Sequence, residues 1–338
     1  ANFPRSGLKA GGMIRRLFIL FAVLTVLVMA AAGGGLFWLK SAYTKPSQSQ
    51  TEKVIVIERG SSVASIAKQL QSEGLIRFAK VFRFGIRILD DPRPLQAGEY
   101  RIPAGASAAD IAAILKSGEQ VVHKITLAEG LSSIQIADLL RDEPLLTGKI
   151  ETAPAEGTLL PETYHFHRGE DRTEMLRRMQ TAMDEVLDKL WVGRDDGLPY
   201  QSPEEAMILA SIVEKETAVE SERWLVAGVF VNRLKKGMRL QSDPTVVYGI
   251  TRGAGPLGRP LSREDLDAET AYNTYKINGL PPTPIANPGR ASIAAVMNPA
   301  ETDALYFVAD GTGGHAFSKT LEEHNRNVRA WRKLQREN

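Results

Sequence analysis

A run of 23 residues without a charge near the N-terminus constrains this chain more than any other feature. It extends from Leu17 to Leu39 and reads LFILFAVLTVLVMAAAGGGLFWL. At about 1.5 Å of rise per helical residue, this length crosses a hydrocarbon core of about 30 Å. We therefore predict one membrane-spanning helix. A cleaved signal peptide is the alternative, because MAAAG offers small residues, but the apolar run is longer than a usual signal-peptide core.

Basic residues precede this run and set the predicted orientation. They are Arg5, Lys9, Arg15 and Arg16. The excess of positive charge on cytoplasmic flanks places the N-terminus in the cytoplasm and the rest of the chain on the other side. We predict a short cytoplasmic end and transmembrane helix over residues 1–40. The polar stretch SAYTKPSQSQTEK then predicts a linker over residues 41–53.

The composition of the chain limits which partners it can bind and which catalytic chemistry it can carry out. The 338 residues are 43% hydrophobic, with a formal net charge of +2 and no cysteine. This allows about two domains, and the absence of a basic run interleaved with aromatics argues against nucleic acid as a partner. No disulfide or thiolate nucleophile can form. Histidines are scattered, and HExxH, Walker and GxSxG patterns are missing, so we expect neither a metal nor a cofactor.

One pattern occurs three times after the linker, as an alternating apolar run, a Gly, a Ser and an amphipathic stretch. The copies read KVIVIERGSSVASIAKQL, GEYRIPAGASAADIAAIL and HKITLAEGLSSIQIADLL. Each predicts a strand, a turn and a short helix, with Ser62, Ser107 and Ser132 as N-caps. The predicted fold class is α+β, with a small domain over residues 54–122, a bridging segment over 123–202 and a turn-rich domain over 203–338, whose long loops are common places for an active site.

A glutamate-rich stretch, SIVEKETAVESE, follows the apolar AMILA at the start of the last domain. Ser202 as N-cap and Pro203 predict a helix over residues 203–218. At about 100° per residue, Glu216 lies near the middle of an apolar stripe, whereas Glu214 points away from it. The stripe comprises Ile208, Leu209, Ile212, Val213 and Val219.

A carboxylate on an apolar face is costly to ionise, so its pKa rises toward that of a general acid. The alternative is that Glu216 reaches solvent, or pairs with Arg233 or Arg239. Neutral polar and aromatic groups follow it and suit the binding of sugars, although each could equally serve the fold. They are Gln241 and Asp243 in RLQSDPTVVYG, and Tyr272, Asn273 and Tyr275 in AYNTY.

Three long stretches closely resemble the MltG (YceG-like) family of endolytic murein transglycosylases. They read ASIVEKETAVESERWLVAGVFVNRLKKGMRLQSDPTVVYG, AYNTYKINGLPPTPIANPG and LYFVADGTGGHAF. The resemblance covers almost the whole chain, including the anchor. KET resembles the Glu-Ser step of goose-type lysozymes and lytic transglycosylases, and AYN resembles their Tyr-Asn motif. The first strand-turn-helix copy resembles a LysM module, which binds peptidoglycan.

The resemblance implies a catalytic domain like that of lytic transglycosylases, cleaving the β-1,4 bond between N-acetylmuramic acid and N-acetylglucosamine. Glu216 would be the acid and then the base, and the muramyl C6 hydroxyl would close a 1,6-anhydro ring. Thr217 would orient Glu216, and Tyr272, Asn273, Gln241 and Asp243 would line the cleft, with Tyr275 and His315 as further candidates. The implied location is the bacterial inner membrane, with the C-terminal domains on its outer face and peptidoglycan synthases as candidate partners.

Three alternatives stay open at this point. A water-using muramidase would need a base opposite Glu216, and Asp243 is the candidate. A noncatalytic, membrane-tethered peptidoglycan-binding protein would need no acid at all. Glu162, in LLPETYHF, is a candidate second acid in the cleft, although its neighbours resemble a packed turn.

Overall fold

The computed structural model of the chain describes residues 10–337, and Arg5 and Lys9 of the predicted basic flank lie outside them. The chain forms two compact units, Ala1–Val122 and His123–Asn338. Helices and short two-stranded sheets make up both units, so the predicted α+β class is confirmed, as is an N-terminal helix apolar enough to cross a membrane.

The first unit has a two-stranded antiparallel sheet packed with helices. Its elements are α1 (Ala10–Thr44), β1 (Lys53–Ile57), α2 (Val63–Ser72), α3 (Ala79–Ile88), β2 (Gly98–Ile102) and α4 (Ala108–Ser117). The inward residues of the sheet, such as Ile55 and Tyr100, join the buried faces of the helices in one core. Ser62 and Ser107 cap α2 and α4, as the sequence predicts.

Helix α1 extends five residues beyond the apolar run. Within its stretch from Ile14 to Thr44, an 18-residue window has a mean hydropathy of 2.5. The last turns pack into the first unit, where Leu39 and Tyr43 are buried. The Tyr43 ring lies against Gly85 of α3, where any Cβ would overlap it. This packing explains why residues 41–44 are helical, although the sequence predicts a linker from residue 41.

The second unit has a first part of strands and long helices and a second part rich in turns. The first part contains β3 (His123–Thr126), α5 (Ser133–Asp142), β4 (Thr163–Phe166), α6 (Arg172–Val192) and α7 (Pro203–Glu216). After a 3-10 turn (Glu220–Glu222) follow α8 (Arg223–Lys235), α9 (Asp243–Thr251), α10 (Arg263–Asp267), α11 (Arg290–Met297), β5 (Tyr306–Ala309), β6 (His315–Ser318) and α12 (Leu321–Glu337). Strands β3 and β4 pair antiparallel, as do β5 and β6.

Helix α7 is the centre of the larger core of this unit. Its residues from Ala206 to Val213 are all buried, packed by α8 and α11. Ser202 caps α7 at the predicted position, but the helix ends at Glu216, two residues earlier than predicted. Thr217 is extended, and its Oγ1 accepts the N–H of Val219, which closes the helix there. Glu216 is therefore the last residue of α7.

Candidate active site

Glu216 lies at the end of α7 with its side chain partly buried. Ser242 donates a hydrogen bond of 2.5 Å from its Oγ to Oε1 of this carboxyl group. Burial raises the pKa of Glu216 to about 7, the hydrogen bond from Ser242 opposes this rise, and the charge of Asp243 reinforces it. A carboxyl group with this pKa can give up a proton and take it back at neutral pH.

The loop that carries Ser242 is fixed to the loop that carries Tyr275. The backbone N–H of Ser242 donates to Oγ1 of Thr274 at 2.9 Å, and that of Gln241 donates to the Thr274 carbonyl at 3.2 Å. Gln241 has a φ of 54°, a left-handed conformation that is uncommon for a residue other than glycine. A backbone conformation of this kind costs free energy and persists only where surrounding contacts hold it. Residues in such conformations are concentrated at functional sites. Gln241 itself is exposed.

Asp243 and Tyr275 form the neighbouring pair. The Tyr275 hydroxyl donates to Oδ1 of Asp243 at 2.7 Å. Burial raises the pKa of Tyr275, and the charges of Asp243 and Glu216 raise it further. These couplings bring the predicted residues Asp243 and Tyr275 into the surroundings of Glu216.

His315, the first residue of β6, is close enough to Glu216 for its charge to affect that carboxyl group. Its Nδ1 lies 2.7 Å from Oε2 of Glu222, and its backbone N–H donates to Oε1 of Glu222 at 2.8 Å. The edge of the His315 ring meets Phe307 at a centroid distance of 5.4 Å. A positive charge on His315 lowers the pKa of Glu216. Glu222 therefore orients His315, a role that the sequence alone did not suggest.

Arg233 is a buried residue of α8. It donates to the carbonyls of Leu305 and Leu240, at 2.6 and 2.8 Å, and burial lowers its pKa. Its charge acts on Glu216 from a distance. Arg239 instead donates to the carbonyl of Tyr275. Within residues 10–337 neither arginine forms an ion pair with Glu216, contrary to the pairing that we considered.

Three predicted site residues support the loops in this structure. Asn273 is fully buried; its amide donates to the carbonyls of Leu266 and Ala268, and its Oδ1 accepts the N–H of Tyr275. The Tyr272 hydroxyl is 2.7 Å from Oγ1 of Thr283. Thr217 is buried and closes α7. Their contacts with substrate stay predictions, whereas their structural contacts are those described.

Glu162 lies in a different setting from Glu216. Its carboxylate pairs with Arg290 at 2.5 Å, with both side chains exposed. A surface ion pair of this kind accounts for Glu162 without a catalytic role. Among residues 10–337 there is also no group of three or more His, Asp or Glu side chains that could hold a metal ion.

A cavity of about 590 Å³ extends from Asp243 along the second unit. Glu129, Lys215, Tyr248 and Arg259 are among the residues that line it. Burial and the charge of Glu214 raise the pKa of Glu129. The volume is in the range that ligand sites occupy, and its walls mix carboxylate, cationic and aromatic groups, as in sites that bind polar ligands.

The second unit of this α+β chain therefore holds one partly buried, protonatable carboxyl group with polar and aromatic neighbours, which is a candidate active site. Residues 55–330 match the model of the YceG-like family, so the chain belongs to that family.

Two curated proteins named endolytic murein transglycosylase are similar to this chain. The protein from Bacillus subtilis is 31% identical over 331 residues, covering 87% of this chain and 89% of the relative. The protein from Streptococcus pneumoniae is 28% identical over 364 residues, covering 90% of this chain and 63% of the relative. The crystal structure of a YceG-like protein from Listeria monocytogenes matches with a TM-score of 0.50 and 33% identity, covering 82% of this chain and 99% of the other.

Proposed function

We propose that the protein is a membrane-anchored endolytic peptidoglycan transglycosylase in which Glu216 is the acid and the base. The chain is a lytic transglycosylase, like the curated relatives it resembles over most of its length. The observation that carries the assignment of Glu216 is its partly buried carboxyl group, with a pKa raised to about 7 and a hydrogen bond from Ser242. We infer that the physiological role is to release or terminate nascent glycan strands.

The proposed reaction needs one carboxyl group. Protonated Glu216 gives its proton to the oxygen between N-acetylmuramic acid and N-acetylglucosamine, and the bond from that oxygen to C1 of the muramyl residue breaks. The carboxylate then removes the proton from the C6 hydroxyl as O6 bonds to C1. The products are a 1,6-anhydromuramyl end and a free 4-hydroxyl on the leaving sugar. No water is consumed, and Glu216 ends protonated.

The neighbours of Glu216 suit these two roles. The hydrogen bond from Ser242 occupies Oε1, which leaves Oε2 for the substrate. It also stabilises the carboxylate that forms after the first proton transfer. Asp243 places a negative charge near the positive charge that develops at C1. Gln241 and Asp243, which are exposed, and the partly buried Tyr275 and His315 are the proposed substrate contacts.

The support for the anchor is the apolar helix α1, whose stretch Ile14–Thr44 has the length and hydropathy of a span. We infer that α1 crosses the bacterial inner membrane once and that both units lie on its outer face. The first unit then acts as a LysM-like binding element for glycan strands, and peptidoglycan synthases are the proposed partners.

The test is digestion of purified sacculi with the full-length protein, followed by mass spectrometry of the soluble fragments. Glu216→Gln is compared with Glu214→Gln, two positions away on α7. Glu214 accepts the N–H of Gly289 through Oε2, and a glutamine oxygen can keep that bond. Anhydro ends that vanish only in Glu216→Gln support the proposal.

The other outcomes select the alternatives. Ordinary reducing ends would make the protein a muramidase, and Asp243→Asn would then test the base. Binding of sacculi without any cleavage, by folded wild-type protein, would leave the noncatalytic binding protein.

A further inference from the structure

Helix α3 of the first unit has one face in the core and another that is exposed and apolar. Val81, Phe82 and Gly85 face the core. Phe84 and Ile88 are 51% and 55% exposed, and Phe78, directly before the helix, is 48% exposed. Single exposed apolar residues are common, but Phe84 and Ile88, one turn apart on α3, and Phe78 just before the helix are three exposed large apolar side chains in one short segment. Such a group marks an interaction surface.

The exposed apolar residues of α3 lie beside the end of α1, and this indicates how deep they lie relative to a bilayer. Trp38, the second-last residue of the uncharged run, lines a cavity of about 730 Å³ together with Phe78 and Phe84. Tryptophan is enriched where the hydrocarbon core meets the headgroups, and the end of the run is that level. The packing of Tyr43 on Gly85 fixes α3 to α1 there. The apolar residues of α3 are therefore level with the membrane boundary.

Basic side chains surround the apolar residues. Lys68, Lys80 and Arg83 line the same cavity, and Arg87 follows one turn later on α3. All four are exposed. The acids of the neighbouring cavity are already engaged, since Lys116 pairs with Asp90 and Arg93 pairs with Asp91. An apolar face flanked by cations fits a surface of anionic lipid.

We propose that the face formed by Phe78, Phe84, Ile88, Lys80, Arg83 and Arg87, here named the α3 surface, inserts into the outer boundary of an anionic bilayer. The apolar side chains enter the acyl boundary, and the cations contact lipid phosphates. The inference rests on the proposal that α1 spans the membrane. It means that the first unit is held against the lipid surface and does not sit at the end of a flexible tether.

The experiment uses the absence of cysteine in the chain. Three single variants of the full-length protein, Phe84→Cys, Val54→Cys and Leu27→Cys, are labelled with bimane. They are reconstituted in phosphatidylglycerol–phosphatidylethanolamine vesicles that contain spin-labelled lipid. Val54 is 49% exposed on β1, in a strand whose neighbours Ile55 and Ile57 face the core, so it reports on the outer face of the sheet. Leu27, in the middle of the uncharged run, reports on the span.

We expect the label at position 84 to be quenched at least about threefold more than the label at position 54, because the surface enters the acyl boundary by about 5–10 Å. Equal quenching at 84 and 54, with strong quenching at 27, would overturn the α3 surface while α1 remains a span. Weak quenching at 27 would overturn the anchor and the α3 surface together.

A charge-reversed protein tests the lipid chemistry. Phe84→Cys combined with Lys80→Glu, Arg83→Glu and Arg87→Glu should lose most of the quenching at position 84 in the anionic vesicles. The unreversed Phe84→Cys protein should lose part of it in phosphatidylcholine vesicles. Unchanged quenching in both comparisons would overturn the role of anionic lipid. The exposed positions make misfolding of these variants unexpected, and circular dichroism checks it.

Discussion

The neighbours of Glu216 change its pKa in opposite directions. Burial gives the largest effect and raises it; the Ser242 hydrogen bond lowers it, and the charge of Asp243 raises it. The balance leaves a group that titrates near neutrality, which suits a residue that must act as an acid and then as a base.

Removing one neighbour at a time should therefore move the pH profile of the reaction in predictable directions. In the proposed mechanism the rate needs protonated Glu216, so we expect the rate to fall above the pKa of that group. Ser242→Ala removes a donor to the carboxylate and should move the alkaline limb to higher pH. Asp243→Asn removes a negative charge and should move it to lower pH, each by up to about one pH unit.

The measurement is the initial rate of glycan cleavage between pH 5 and 9, with ¹³C NMR titration of Glu216 in the same variants. Asparagine at position 243 still offers an oxygen to the Tyr275 hydroxyl, so the hydrogen bond between the two side chains can form in this variant as well. Alkaline limbs that move in the same direction in both variants would contradict the assignment of Glu216 as the titrating acid.

Glu216 also makes stability depend on pH. Its pKa is raised in the folded state from 4.5 to about 7, so the folded protein binds more protons than the unfolded one between these values. Its contribution is fully present below pH 4.5 and is lost as pH rises through 7. We expect Glu216→Gln to be more stable than wild type at pH 8, by up to about 3 kcal/mol, and to gain little at pH 5.

Chemical denaturation at the two pH values measures this difference. Glu214→Gln is the control, and its difference from wild type should change less between pH 5 and pH 8 than that of Glu216→Gln. If Glu216→Gln is no more stable than wild type at pH 8, then Glu216 is not buried in a way that penalises its charge.

At the scale of elements, the sequence predicted α7 and the face that carries Glu216, because helical periodicity and the Ser202 cap are local signals. It could not predict that Ser242 donates to Glu216, since the two residues lie 26 positions apart and only the fold brings them together. It also extended α7 by two residues, because the closing contact of Thr217 involves backbone groups that periodicity does not register.

Packing between α8 and the loop after α11 gives an element-scale prediction. A Cβ on Gly228 of α8 would lie 2.5 Å from the carbonyl oxygen of Ala300, and Ala300 is itself held by a hydrogen bond to the Trp224 carbonyl. We expect Gly228→Ala to lower the free energy of unfolding by about 1–3 kcal/mol, because the backbone must move.

The matched control is Gly34→Ala in α1, where a Cβ would meet nothing within 4 Å. Thermal unfolding of both variants in detergent gives the comparison. The control should be neutral or stabilising, since alanine favours a helix over glycine. A Gly228→Ala protein as stable as the control would show that α8 and this loop are not packed as described.

For the whole molecule, the third strand-turn-helix copy belongs with the second unit. Strand β3 and helix α5 share a core with β4 and α6. Asn287 donates to the Leu131 carbonyl and to Glu156, which binds the start of α5 through the N–H of Ser133. The sequence predicts the copy itself but not this attachment, because the contacts of Asn287 span more than 130 residues and leave no periodic signal.

These contacts predict that residues 123–338 fold without the first unit. Both hydrophobic cores of the second unit, and all residues from Glu216 to His315 that form the site, lie within that range. The fragment should unfold cooperatively, and Glu216 should titrate near pH 7 in it, as in the full chain. Asn287→Ala should lower the melting temperature of the fragment and of the full chain by similar amounts, because it leaves the same buried partners unpaired. A fragment that unfolds without cooperativity, or in which Glu216 titrates like an exposed glutamate, would show that the site depends on residues before His123.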